Sequence, residues 1–164
     1  MIREIKESEL DDLLDLYKDL HDSDDPQPNE KRIKEVWAQI CGDERIKYFV
    51  KEKNKKLVSC CHLVIVPNLT RGNRPYGIIE NVVTKSELQN QGLGKEILKY
   101  ALDHAWSEGC YKVMLLTGRK DEKVYRFYES VGFDRHAKQA FIIKNSNKAC
   151  EGISRSSASR NPST

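Results

Sequence analysis

Residues 78–95 read IIENVVTKSELQNQGLGK, and this segment carries the strongest structural signal in the chain. Its first part is rich in valine and isoleucine, which is typical of a β-strand. A short polar loop follows, and its end, Gln89 to Gly94, opens directly into a predicted helix. Glycines at a helix N-terminus let a ligand approach the backbone, and the unpaired first-turn amides there favour an anion. The segment therefore predicts a strand, a pyrophosphate-binding turn and a helix.

Two common phosphate-binding motifs do not fit this turn. The dinucleotide-binding pattern Gly-x-Gly-x-x-Gly needs glycine at position 97, which is Ile97. The phosphate loop of nucleoside triphosphatases needs Ser or Thr after Gly-Lys, but Gly94-Lys95 is followed by Glu96, and position 89 is Gln instead of Gly. On these residues alone, a tight turn that binds no ligand is an equally good interpretation.

Regular elements are predicted on both sides of this segment. Apolar residues at helical spacing predict helices over residues 8–20, 30–40, 92–107 and 122–130, with Ser8 capping the first. Valine- and isoleucine-rich runs predict strands over residues 46–50, 57–66, 78–84 and 111–117, with one or two more in 133–143. This order predicts a mixed α/β domain with one central sheet and helices on its faces.

Length and composition are those of one soluble domain, with 164 residues, 38% of them hydrophobic and 32% charged. No apolar run approaches the ~20 residues that a membrane span needs, and no secretory signal pattern is visible at the start, so a cytoplasmic location is expected. The net charge of +3 falls on residues 144–164, a tail that we expect to be disordered. The neutral body over residues 1–143 argues against a nucleic-acid-binding face.

The five cysteines have irregular spacings and form no CxxC pair, so the sequence predicts neither a zinc site nor a thioredoxin-like motif. Cys60 and Cys61 are adjacent in an apolar run, where successive side chains of a strand point to opposite faces. We expect both to be free thiols that act as small buried hydrophobes. A nucleophilic cysteine is the alternative.

Two motifs in the right order resemble the GNAT superfamily of N-acetyltransferases. Gln89-x-x-Gly92-x-Gly94 is similar to the family's Gln/Arg-x-x-Gly-x-Gly/Ala acyl-CoA motif, and residues 124–133 resemble its late helix with a Phe/Leu-Tyr-x-x-x-Gly-Phe ending. The strand that ends at residues 81–84 looks like the family's fourth strand. The resemblance spans about residues 2–143 and is tight over 78–133. It implies a GNAT-like α/β fold: a twisted, mostly antiparallel sheet of six or seven strands flanked by about four helices.

The resemblance also implies how acetyl-CoA would bind. Backbone amides of residues 91–95 would hold the pyrophosphate, and the strand at 82–84 would bind the pantetheine arm, with an amide at or near Val83 polarising the thioester carbonyl. Gln89 would support the loop, and Lys95 is either a phosphate partner or a solvated residue. Relatives often have Asn at the position of Asp121, and the carboxylate here lacks the side-chain amide donor that Asn would offer to the pantetheine arm. The implied acetyl-CoA-binding residues are Val82, Val83, Thr84, Gln89, Asn90, Gln91, Gly92, Leu93, Gly94, Lys95, Asp121 and Tyr125, and no metal is implied.

Two residues are candidates for the chemistry. The resemblance implies direct attack of an amine on the thioester, with Tyr128 donating a proton to the departing thiolate; a core tyrosine is the alternative. Glu80 interrupts an apolar strand, and partial burial there would suit either a base acting through water or a binder of the substrate ammonium. His62 either lines the acceptor site or is a structural histidine. The loop residues Arg71 and Arg74 suggest an anionic acceptor.

We therefore expect an acetyl-CoA-dependent N-acetyltransferase for a primary amine, with a small-molecule acceptor preferred. The alternative is a non-catalytic acyl-CoA-binding or sensor module of the same fold, and Glu80 and Tyr128 favour the enzyme. A nucleic-acid binder that uses the basic tail is a third interpretation. The expected partners are acetyl-CoA and the amine, without nucleic acid or membrane, and a homodimer is left open. Trp37 and Tyr76 either wall the acceptor pocket or belong to the core.

Overall fold

The computed structural model describes residues 1–20 and 26–145. They form a five-stranded sheet with helices packed on both faces. The strands are β1 (Ile2–Glu4), β2 (Ile46–Lys53), β3 (Lys56–Val66), β4 (Tyr76–Thr84) and β5 (Val113–Leu115). The helices are α1 (Leu10–Tyr17), α2 (Glu30–Cys41), α3 (Leu93–Ser107) and α4 (Glu122–Glu129), and short 3-10 turns lie at Glu7–Glu9 and Ser86–Leu88.

The sheet has the order β1-β2-β3-β4-β5 and is mixed, since β4 and β5 are parallel while the other neighbours are antiparallel. The prediction of six or seven strands was wrong, because the described residues form five. The strand β1 was not predicted, and residues 133–143 form no strand. Phe141, Ile142 and Ile143 are 91%, 71% and 98% exposed. An apolar run becomes a strand only where it pairs and packs, and this one does neither among the described residues.

Two apolar layers hold the helices against the sheet. The layer under α3 contains Phe49, Cys61, Leu63, Ile79, Ile97, Leu98 and Ala101. The layer under α1 and α2 contains Leu13, Leu16, Trp37, Tyr48, Val50, Cys60 and Val83. Adjacent residues of β3 thus enter opposite layers, which confirms the prediction for Cys60 and Cys61; both are fully buried free thiols. Burial raises the pKa of Cys61 to about 12, so this thiol is not a nucleophile at neutral pH.

The first predicted helix differs most from the observed one. The chain enters α1 through the 3-10 turn, and Glu9 rather than Ser8 satisfies the backbone there by accepting the Lys6 amide at 2.8 Å. The predicted disordered tail lies outside the described residues from residue 146 onward. Within the described ranges, no helix combines the length and apolar character required to traverse a bilayer.

Candidate active site

A β-bulge in β4 lies beside the point where the pairing of β4 with β5 ends, and the edge of β4 beyond Ile79 on the β5 side is called the gap. The register pairs Glu80 with His62 but Val83 with Cys60, so β4 has one residue more than β3 between these pairs. The residue after Glu80 is Asn81, which has a left-handed φ of 52°. On the other side, β5 pairs with β4 only as far as Ile79. Because a bulge bends its strand, the end of β4 is left without a strand partner on the β5 side among the described residues.

The backbone amides of β4 alternate between β3 and this gap. The amide of Lys85 donates to the carbonyl of Val58 on β3 at 2.9 Å. The register pairs Val83 with Cys60 and Thr84 with Ser59, so the amide of Val83 also faces β3 and that of Thr84 faces the gap. Of the three strand residues predicted to contact pantetheine, Thr84 therefore directs its amide to the gap, and Val82 lies in the bulge, where the regular alternation is interrupted. The side chain of Val83 is buried on the α1 and α2 side.

The turn between β4 and α3 presents backbone donors around an open space. Asn90 and Gly92 have left-handed φ values of 61° and 84°, and Gly92 is the N-cap of α3. The amide of Glu96 bonds to the carbonyl of Gly92 at 3.1 Å, so the amides of residues 93–95 precede the first intrahelical bond. A Cβ placed on Gly92 would meet no atom within 4 Å. Donors, helix dipole and open space together fit a pyrophosphate group.

Other residues of this turn support it or face solvent. Gln89 donates from Nε2 to the carbonyl of Thr84 at 3.3 Å, which ties the loop to the end of β4. Leu93 is buried and anchors the first turn of α3 in the core. Gln91 and Lys95 are exposed. The side chains of Gln89 and Leu93 thus fix the loop to β4 and to the core, and its backbone amides are left to bind a ligand.

Gly94 lies directly against α4. A Cβ at this position would be 3.0 Å from Cζ of Phe127 and 3.6 Å from Oγ1 of Thr84. Tyr128 follows Phe127 on α4, so the contact between Gly94 and Phe127 determines how close the phosphate-binding turn lies to the candidate acid. The sequence assigned Gly94 to the phosphate site alone, and the structure adds a packing reason for a glycine.

This contact makes the effect of Gly94→Ala depend on Phe127. Alanine is the better helix former by about 1 kcal/mol, but overpacking costs about 1–3 kcal/mol. We expect Gly94→Ala to lower the free energy of unfolding in the natural chain and to raise it in a Phe127→Leu background. Urea unfolding of the natural chain, the two single variants and the double variant measures the change in the free energy of unfolding that Gly94→Ala causes in each background. Stabilisation by Gly94→Ala in the natural chain would contradict the packing explanation.

Tyr128 is half-buried on α4 beside the gap. Its ring lies edge-on to Phe127 and Phe133, with centroid distances of 5.0 and 6.2 Å. Burial raises the pKa of Tyr128, the positive charge of Arg119 opposes this shift, and the carboxylate of Glu80 reinforces it. The phenol therefore keeps its proton at neutral pH, as a proton donor must.

Glu80 is exposed, and the expectation of partial burial was wrong. The physical reason is that β5 ends opposite Ile79 and leaves the next position of β4 open to solvent. The carboxylate of Glu80 acts electrostatically on Tyr128, although the two residues belong to different elements. The two candidate catalytic residues therefore lie within electrostatic reach of each other.

Asp121 and Tyr125 have partners within the protein. Asp121 caps α4, since its Oδ1 accepts the amide of Lys123 at 2.9 Å. The guanidinium of Arg135 lies 4.7 Å from the ring centroid of Tyr125. These contacts account for both residues without a ligand, and their contacts with acetyl-CoA stay predictions.

His62 lies beside Glu80 on the sheet face that carries α1 and α2. Its ring stacks on Tyr48 with centroids 4.5 Å apart. Its Nε2 is buried and has no hydrogen-bond partner among the described residues. Burial lowers the pKa of His62, so the ring is neutral at pH 7. His62 is therefore not a structural histidine with both ring nitrogens hydrogen-bonded among the described residues.

Two further acceptor-site candidates, Trp37 and Arg74, have hydrogen-bond partners within the protein. Trp37 is 6% exposed and donates from Nε1 to the carbonyl of Glu7 at 2.8 Å, which places it in the core. Arg74 donates from Nε to the carbonyl of Arg71 at 3.1 Å. Both arginines lie before Tyr76, at the end of β4 farthest from the phosphate-binding turn.

The sequence patterns did not indicate two residues that lie near the site, Arg119 and Asp19. Arg119, in the loop after β5, acts on Tyr128; its only signal was a cation shortly before α4. Asp19 follows α1 and contacts Lys85 and Ser86 in the loop after β4. No local pattern could have indicated that second contact, because its partners are far apart in sequence.

Known proteins resemble this chain in both sequence and fold. Residues 10–133 match the model of the acetyltransferase (GNAT) family. A glucosamine 6-phosphate N-acetyltransferase of Trypanosoma brucei brucei is 38% identical over 93 residues, which are 57% of this chain and 61% of that protein. This chain thus spans about three fifths of that relative. The enzyme of the same name from Arabidopsis thaliana is 30% identical over 111 residues, 67% of this chain and 71% of its own.

A solved structure from Agrobacterium tumefaciens, provisionally described as an acetyltransferase, is 41% identical. It superposes with a TM-score of 0.83 over 88% of this chain and 99% of its own. The similarity therefore extends beyond the motif region to nearly the whole described structure.

Proposed function

This chain belongs to the GNAT family of acetyltransferases, and on that premise we propose that it transfers an acetyl group from acetyl-CoA to the primary amine of a small molecule. The observation that carries the proposal is the common location of three features. The phosphate-binding turn packs on α4 through Gly94 and Phe127, the gap lies beside the same part of β4, and the pair Tyr128 and Glu80 interacts electrostatically across it. The relatives named for glucosamine 6-phosphate make an amino sugar phosphate the first acceptor to test.

The main chain binds the coenzyme in this proposal. The amides of residues 93–95 hold the pyrophosphate at the positive end of α3. The amides of Val82 and Thr84 pair with the pantetheine arm at the gap and donate to the thioester oxygen as negative charge develops on it. Because these donors are backbone groups of a paired strand, they need little reorganisation during the reaction.

Side chains move the protons. The exposed carboxylate of Glu80 attracts the ammonium form of the acceptor, and water bound at Glu80 accepts the proton that the amine must lose before attack. The neutral amine forms the new C–N bond as the C–S bond breaks, and its nitrogen then loses a second proton to solvent, from which the Tyr128 phenolate regains the proton it gives to the sulfur. Tyr128, which keeps its proton at neutral pH, gives it to the sulfur as the thiolate leaves.

The direct test measures thiol release from acetyl-CoA with a panel of amines, beside calorimetric titration with CoA. We expect turnover with glucosamine 6-phosphate, and a product heavier by one acetyl group in mass spectrometry. N-acetylglucosamine 6-phosphate is the matched control, because its nitrogen is already acylated, and it should release no thiol. CoA binding without turnover on any amine would favour the non-catalytic module instead.

A further inference from the structure

The end of α1 is tied to the loop that leads into the phosphate-binding turn. The Oδ1 of Asp19 accepts the backbone amide of Ser86 at 3.1 Å and its hydroxyl at 2.5 Å. The Oδ2 of Asp19 lies 3.2 Å from Nζ of Lys85, which also pairs with Asp15 at 3.0 Å. The side chain of Asp19 is 17% exposed, so water does not fully screen these contacts.

These contacts hold the loop at its base. Ser86 begins the 3-10 turn that leads into Gln89 and the left-handed Asn90 and Gly92. Gln89 ties the other side of the loop to the carbonyl of Thr84. Thr84 belongs to β4, the strand that precedes the loop. Asp19 therefore stabilises the loop from a distant part of the chain, and both of its carboxylate oxygens already have partners within the protein.

We propose that Asp19 is a positioning residue for acetyl-CoA, which holds the phosphate-binding turn in its binding geometry through Ser86 and Lys85. This inference rests on the proposed function, because it takes the turn as the pyrophosphate site. Asp19 acts on the coenzyme through the loop and makes no contact with it. Losing Asp19 thus weakens coenzyme binding and leaves the chemistry beside Tyr128 intact.

The test compares three variants by calorimetric titration with CoA and by steady-state kinetics. We expect Asp19→Ala to raise the Kd for CoA and the KM for acetyl-CoA about tenfold, which corresponds to about 1.4 kcal/mol. The kcat at saturating acetyl-CoA should stay within about twofold, since charge-assisted hydrogen bonds of the loop, not the reacting groups, are lost. Asp19→Asn keeps an oxygen for Ser86 and should cost less. Asp12→Ala, at an exposed residue of α1, is the control and should change neither constant.

A double-mutant cycle identifies Ser86 as the partner. Ser86→Ala alone should weaken CoA binding less than Asp19→Ala, and adding it to Asp19→Ala should cause little further loss, because the hydroxyl contact is already absent in Asp19→Ala. If Asp19→Ala does not fold, the Asp19→Asn and Ser86→Ala variants decide the question in the same way. Unchanged CoA affinity in these variants, or a loss of kcat without a change in Kd, would overturn the inference. If the natural chain binds no CoA, the proposed function itself fails.

Discussion

Replacing Tyr128 by phenylalanine is expected to lower kcat about a hundredfold and to leave the affinity for CoA unchanged. A positioned general acid typically contributes a factor of about 10²–10⁴ to the rate. The variant removes only the hydroxyl, and the ring keeps its contacts with Phe127 and Phe133, so the fold is retained. Steady-state kinetics with the amine that turns over fastest gives kcat, and titration with CoA gives the affinity.

Tyr100 supplies the matched control for this variant. It is a tyrosine on α3, 41% exposed and packed edge-on to Phe49, so Tyr100→Phe removes a hydroxyl away from the gap. Its kcat should equal that of the natural chain. The pH profile is a second check. Since burial raises the pKa of Tyr128, any loss of kcat from phenol ionisation should occur at a higher pH than the ionisation of an ordinary tyrosine. An unchanged rate in Tyr128→Phe would exclude this residue from the mechanism.

The second large effect is expected from Gly92→Val, which should weaken CoA binding about a hundredfold. Gly92 has a φ of 84°, and a Cβ there points into open space in front of the turn. Valine would place two methyl groups where the pyrophosphate lies. It would also strain the backbone, because a left-handed conformation costs an L-residue about 1–2 kcal/mol. Calorimetric titration with CoA measures the affinity, and thermal unfolding measures the strain.

A variant at Gly109 distinguishes the two causes of weaker CoA binding, which are methyl groups in the pyrophosphate space and backbone strain. It has a φ of 74°, no atom within 4 Å of a built Cβ, and a place at the opposite end of α3. Gly109→Val should therefore lose a similar amount of thermal stability and keep normal CoA affinity. Equal loss of affinity in both variants would attribute the effect to strain in α3. Normal affinity in Gly92→Val would exclude the turn as the pyrophosphate site.

Local sequence patterns predicted most of the elements and the general position of the site. The valine-rich strand, the glycine turn and the helix α3 were predicted because each depends on residues close in sequence. The same holds for the helix that carries Tyr128, whose apolar residues recur at helical spacing. The opposite burial of Cys60 and Cys61 followed from the two-residue period of a strand. Such features need no knowledge of distant neighbours.

Tertiary structure alone determined how the site is assembled. The bulge at Asn81 exists only in the register against β3, and the exposure of Glu80 depends on where β5 ends. Asp19 and Ser86 are 67 residues apart, and Gly94 meets Phe127 only after α3 and α4 have packed. The apolar run at 141–143 is exposed although its composition predicts a strand. In each case the outcome depends on which distant groups pack together, and a local pattern does not record those partners.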